Sequence, residues 1–168
     1  MTRTFAIVVL LGLVGCHGSP VQSPKPAETA AAPTGLESSE AVARAYARAL
    51  NEGTLEDGLA LFPSAAVVAS VMSCPGPNPF ASQLAQQRKQ LTETHAKLQK
   101  ILKEQKLSFV YVGPGEVQAK KKGAVEDGCT LEVDLETREE FVRFEPESKA
   151  RLLVMKAGGR FYLVDAPK

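Results

Sequence analysis

Leu98-Gln99-Lys100-Ile101-Leu102-Lys103-Glu104-Gln105-Lys106-Leu107-Ser108-Phe109-Val110-Tyr111-Val112 is the stretch where the chain changes its period. Up to Lys106 the apolar residues keep helical spacing: Leu84, Leu91 and Leu98 recur every seven, joined by Ile101 and Leu102, on a helix predicted over residues 80–105. With only three heptads, this helix is read as lying across a sheet rather than as half of a coiled coil. After Lys106 the period is two. Strands are predicted at 108–112, 116–120, 129–135, 140–144, 151–156 and 161–164, with Gly158-Gly159 as a hairpin turn. Helices first and an antiparallel meander afterwards define an α+β fold, with N-terminal helices, one of them long, packed on a curved C-terminal antiparallel sheet.

Outward from this junction the pattern stays readable. Ser39 offers an N-cap to a helix that places Val42, Tyr46, Ala49 and Leu50 on one face and stops at Gly53. A second helix is predicted over 55–62, ended by Pro63, which cannot continue it without losing a backbone bond. Residues 64–72 mix Ala, which favours helix, with Val, which favours strand; helix is preferred because Ser64 can cap it. In 129–135, Cys129, Leu131, Val133 and Leu135 alternate with Thr130, Glu132 and Asp134, so one face is dry and the other wet. Leu152-Leu153-Val154-Met155 and Phe161-Tyr162-Leu163-Val164 are apolar on both faces, which places both strands in the middle of the sheet.

The N-terminus reads as an address. Arg3 precedes ten apolar residues, Phe5 to Val14, too few to span a bilayer and of the form of an export signal. Leu13-Val14-Gly15-Cys16 resembles the lipobox of bacterial lipoproteins. That resemblance implies a signal peptide over 1–15, cleavage before Cys16, and lipid on Cys16 that fixes the chain to a membrane, because two or three acyl chains make a stable anchor where one does not. His17 stands where an Asp would resemble an inner-membrane retention signal. The expected location is therefore the bacterial cell envelope, at the outer membrane facing the periplasm. Pro20, Pro24, Pro26 and Pro33 then mark a tether over 16–35, an extended spacer reaching roughly 60 Å at ~3.1 Å per residue. Residues 36–168 remain for a single domain. Export into an oxidising compartment, with Cys16 consumed by lipid, leaves Cys74 and Cys129 to pair as a disulfide.

Composition excludes several classes of function. The 168 residues carry 20 Lys plus Arg against 19 Asp plus Glu, so no global field recruits nucleic acid. Two His, three Cys and no Trp leave few candidates for a metal cage or a stacking platform, and no metal or cofactor is expected. The run Glu132, Asp134, Glu136, Glu139 and Glu140 has the charge to collect calcium, but alternation on an exposed strand explains it without an ion, and no Asp-rich loop accompanies it. Gly113-Pro114-Gly115 starts like a dinucleotide fingerprint, yet Gln118 holds the third glycine position and a strand follows, so it reads as a turn. Lys120-Lys121-Lys122 reads as a solvated hairpin tip balanced by Glu126 and Asp127.

The segment from Ala41 to Gly53, then Leu59-Ala60-Leu61-Phe62, and the closing Gly158-Gly159-Arg160-Phe161-Tyr162-Leu163-Val164-Asp165 resemble the nuclear transport factor 2-like superfamily, over about a third of the domain. The long third helix departs from that family's pattern. The resemblance implies helices packed on a curved antiparallel sheet around a conical pocket, in a group holding isomerases, dehydratases and many non-catalytic lipoprotein domains. Its pocket chemistry would take His95 as base with Asp134 or Glu132 as orienter. His95 lies on the apolar stripe between Leu91 and Leu98, which favours a structural histidine, and no nucleophile elbow is present, so no catalytic residue is assigned. The expected function is a lipid-anchored envelope protein that binds a small apolar ligand or a protein partner. The alternatives are a small pocket enzyme and a structural assembly factor.

Overall fold

The computed structural model describes residues 35–125, 128–145 and 148–166; Cys16, the signal peptide, the tether up to residue 34, and Glu126 and Asp127 lie outside the described residues. Among the described residues four helices and seven strands follow one another as α1 (Ser39–Asn51), α2 (Leu55–Leu59), α3 (Ala65–Val71), β1 (Met72–Ser73), α4 (Pro79–Gln105), β2 (Val110–Lys120), β3 (Gly123–Ala124), β4 (Thr130–Leu131), β5 (Leu135–Arg143), β6 (Ala150–Ala157) and β7 (Arg160–Asp165). The class is α+β. In place of one sheet there are two, both antiparallel: a four-stranded sheet in the order β2-β5-β6-β7 and a small one in the order β1-β4-β3.

Each helix begins at a side-chain cap. Ser38 Oγ accepts the Ala41 N–H at 3.0 Å, so α1 is capped one residue before the expected Ser39, which is buried instead. Thr54 and Asp57 form a capping box on α2. The Thr54 backbone and hydroxyl both donate to the Asp57 carboxylate and hold it below the usual carboxylate range. That helix stops at Leu59 rather than at Phe62. Leu61 and Phe62 donate to carbonyls only three residues back, the tightening that ends many helices, and Pro63 follows. Ser64 caps α3 as expected. Asn78 Oδ1 caps α4 by accepting from Phe80 and Ala81, and Pro79 occupies the first turn, where its missing N–H costs nothing.

Helix α4 keeps its expected ends but not its expected seat. Its buried line runs Leu84, Gln87, Leu91, His95, Leu102, with Leu98 half-buried, in steps of three or four. Ile101 falls beside that line and is 45% exposed. The helix packs against α1, α2, α3 and, in the sheet, β7; the element that touches all four strands of the main sheet is α1. Gly58 makes the α2–α4 contact possible, since a Cβ there would lie 3.0 Å from Leu91 Cδ2. Lys106, in the left-handed region at φ 55°, ends α4. Phe109 then leads into β2, and its N–H and carbonyl both bond the Asn51 side chain, at 2.7 and 2.8 Å, which ties the end of α1 to the start of the sheet.

The main sheet corrects several expectations. The strands expected at 108–112 and 116–120 are one, and Gly113-Pro114-Gly115 is not a turn: β2 runs through it with register shifts between Tyr111 and Gly113 and between Pro114 and Val117. Pro114 has no N–H to give a ladder, and an edge strand is where a bulge can absorb that loss. The strand expected at 129–135 is broken. Thr130–Leu131 pair with β1 and β3, while Leu135 opens β5, nine residues long and longer than the strand expected at 140–144. Between them Asp134 accepts from Lys121 Nζ at 2.8 Å and the Lys122 N–H at 2.9 Å, which pins a corner and leaves Val133 40% exposed. Strand β6 is central, with Leu152, Val154 and Met155 fully buried, whereas β7 is an edge. Its outer side is covered by local chain: Leu36 and Phe161 exchange bonds at 3.0 and 2.9 Å, and the Leu163 N–H reaches the Leu61 carbonyl at 2.8 Å. Gly158 and Gly159, both at positive φ, make the expected hairpin turn between β6 and β7.

Gly115 lies beneath Phe141 in the bulge, where a Cβ would come within 2.5 Å of Phe141 Cε2 and 2.8 Å of Glu139 Cβ. Gly115→Ala is expected to lower unfolding free energy by about 1–3 kcal/mol through overpacking, measured by urea denaturation. A change below about 0.5 kcal/mol would show that β2 does not hold this register.

Candidate functional site

The site grows from the shortest strands. A two-residue strand has little stability alone, and β1, β3 and β4 are each two residues long. Met72 pairs with Leu131 and Ser73 with Thr130, and the next residue out on each side is a cysteine: Cys74 and Cys129 form the expected disulfide, with Cα atoms 4.2 Å apart. The bridge therefore clamps the small sheet. Asn78 extends the clamp, since its Nδ2 donates to the Met72 carbonyl at 3.3 Å while its Oδ1 caps α4.

Around this clamp apolar side chains from five segments converge. Met72 of β1, Phe80 of α4, Val125 after β3, Leu131 of β4 and Leu135 of β5 line a cleft of about 400 Å³ with Cys129. Leu131 and Cys129 are buried as its floor, and Met72, Phe80, Val125 and Leu135 are half-buried walls. Pro79 completes the lining, and its polar rim is Gln83 and Lys120. This is the composition of a small-molecule site, mostly apolar with a few placed polar groups.

A second depression of similar size, about 410 Å³, lies around Lys121, Asp134, Glu136, Lys156, Gly158 and Gly159. Its carboxylates are already committed: Asp134 to Lys121 at 2.8 Å and Glu136 to Arg138 at 2.6 Å. Arg138 holds the Glu136 carboxyl below the usual carboxylate range, and the Lys121 hydrogen bond does the same to Asp134.

The sequence-derived chemistry falls apart into structural roles. His95 is 5% exposed and its Nε2 faces the Ala49 carbonyl at 3.1 Å, a contact that requires the proton on Nε2. Neither expected partner is among its contacts: Asp134 serves Lys121 and Lys122, and the Glu132 N–H donates to the Val71 carbonyl. Nor do the carboxylates gather. Glu139 pairs with Arg151 at 2.9 Å, and Glu140, 2% exposed, is not on a wet face at all. Tyr111 Oη donates to Glu140 Oε2 at 2.8 Å beneath the Arg44 guanidinium, which sits 4.6 Å from the ring centre. Burial, with the Glu140 bond adding, pushes the Tyr111 hydroxyl up to about 12. Sequence reasoning missed this trio and its buried carboxylate, because Glu140 looks like any other member of a carboxylate-rich strand.

Removing the bridge tests what holds the cleft. The double change Cys74→Ala, Cys129→Ala is expected to cost about 4 kcal/mol of unfolding free energy, the loop-closure value for two cysteines 55 positions apart. The reading is by denaturant titration, alongside a thiol count on the unreduced wild type that finds neither cysteine free. A loss below about 1 kcal/mol would mean that packing alone secures the small sheet. No protein-family model, no curated protein and no solved structure matches the chain.

Proposed function

We propose that this chain is a lipid-anchored protein of the bacterial cell envelope that works by binding, and that its ligand is a small apolar molecule held in the cleft beside Cys74–Cys129. One observation carries the reading: five apolar side chains from separate segments meet around a disulfide-held floor, leaving about 400 Å³ open, with Gln83 and Lys120 as the polar rim among the described residues. The engagement of His95 with the Ala49 carbonyl supports binding over acid–base catalysis. The Leu13-Val14-Gly15-Cys16 motif supports lipidation at Cys16 and an outer-membrane, periplasm-facing location. Helices preceding a four-stranded antiparallel sheet that α1 crosses support the resemblance to the nuclear transport factor 2-like superfamily. The cleft itself lies against the small sheet, and Tyr46, Leu50, Val142 and Leu152 are packed core, which supports a ligand site beside the disulfide over one in a central cone.

Two measurements test this. Cell fractionation should find the wild type with membranes and Cys16→Ser in the soluble fraction; retention of that variant on membranes would contradict the anchor. The neutral apolar dye N-phenyl-1-naphthylamine should bind the full chain at one saturable site that Phe80→Gln weakens. Absence of saturable binding, or binding indifferent to Phe80, would contradict the cleft.

A further inference from the structure

Among the described residues, the rim of the cleft carries one sign of charge. Among the described residues that line it there is no carboxylate, and its one ionised group is Lys120. Its neighbour Lys121 is held by Asp134 at 2.8 Å, whereas Lys120 has no ion-pair partner among the described residues. Gln83, also at the rim and exposed, likewise has no hydrogen-bond partner among them. The first amides of α4 are not available to a ligand, because Asn78 Oδ1 already accepts from Phe80 and Ala81. An apolar floor with an ammonium and an amide at its mouth is complementary to an apolar tail that ends in a single negative charge. The volume limits the tail. About 400 Å³ lies near the bottom of the ~300–1,000 Å³ range of small-molecule sites, which suits one chain and not two.

We infer that the cleft binds a single-chain amphiphile with an anionic head, a fatty-acid carboxylate whose tail lies against Met72, Phe80, Leu131 and Leu135 and whose head meets Lys120 and Gln83. This rests on the apolar-ligand reading above and adds the ligand's class to it. Lys120, set at the end of β2 opposite Leu135, gives the tail a direction: head outward at the Lys120 rim, chain inward toward the disulfide.

The test uses decanoate and 1-decanol, equal in chain length and different in head charge, titrated into the full chain by calorimetry at neutral pH, below the micellar concentration of decanoate and the aqueous solubility of decanol. Decanoate should bind about 3- to 5-fold more tightly than decanol, the scale of one exposed ion pair. Lys120→Glu should erase or reverse that preference, and Phe80→Gln should weaken binding of both. Circular dichroism of each variant should match the wild type. Equal binding of the two in the wild type, or a preference that survives Lys120→Glu, would overturn the anionic class and leave the apolar cleft standing. Binding of neither compound would overturn the cleft itself. Sedimentation velocity should give one monomeric species; a dimer that Phe80→Gln dissociates would mean a second copy fills the cleft, and would also overturn the proposal.

Discussion

The last carbonyls of α1 are the constraint around which this domain is arranged. A helix leaves its final carbonyls without partners, and Ala49, in the last turn of α1, is buried, where water does not serve its carbonyl. Helix α4 supplies the donors: His95 Nε2 and Gln99 Nε2 reach the Ala49 carbonyl at 3.1 and 3.3 Å, and Gln99 reaches the Gly53 carbonyl at 2.7 Å. That requirement explains why the buried stripe of a long, otherwise solvent-facing helix includes a histidine. It also fixes the layers. With α4 bonded to its C-terminal end, α1 must use other surface for the sheet, and Ala43, Ala47 and Ala49 are small enough to let it approach its neighbours closely while Val42, Tyr46 and Leu50 fill the core. Burial pushes the Tyr46 hydroxyl up, with Asp165 adding to the shift.

The second constraint is local to the cleft. Six strand residues in three pieces cannot make a free-standing sheet, so the small sheet depends on what surrounds it. The disulfide holds one end, Asn78 links β1 to the start of α4, and the Glu132 N–H bonds the Val71 carbonyl at 2.9 Å. A wall built this way is stiff at the bridge and open toward the Gln83 and Lys120 rim, an arrangement suited to admitting a ligand. The charged depression on the other side of Lys121 differs because its ion pairs close among themselves.

The helices were legible because their limits are written in nearby residues. Ser64, Asn78-Pro79 and the change of period after Lys106 act within one turn, and α4 begins only one residue before its expected start. The strands were less legible because pairing is decided at a distance. Gly113-Pro114-Gly115 has the composition of a turn, and only the partner β5 makes it a bulge. The apolar β7 reads as central because nothing in its own residues shows that Leu36 and Leu61 cover its edge. Two-residue strands have no period to detect. Of the site, cysteine arithmetic was enough for Cys74 and Cys129, but nothing local in the sequence signals that Met72, Phe80 and Val125 meet beside that bridge.

The central claim, that the cleft beside the disulfide is the binding site, is tested most directly by mapping side-chain methyl resonances during a ligand titration. With decanoate added to isotopically labelled full chain, the account predicts shifts confined to the methyls of Met72, Val125, Leu131 and Leu135, with those of Val110, Val112 and Val117 on the exposed edge strand unmoved. Shifts centred on Val110, Val112 and Val117, or none at the four cleft residues, would contradict it.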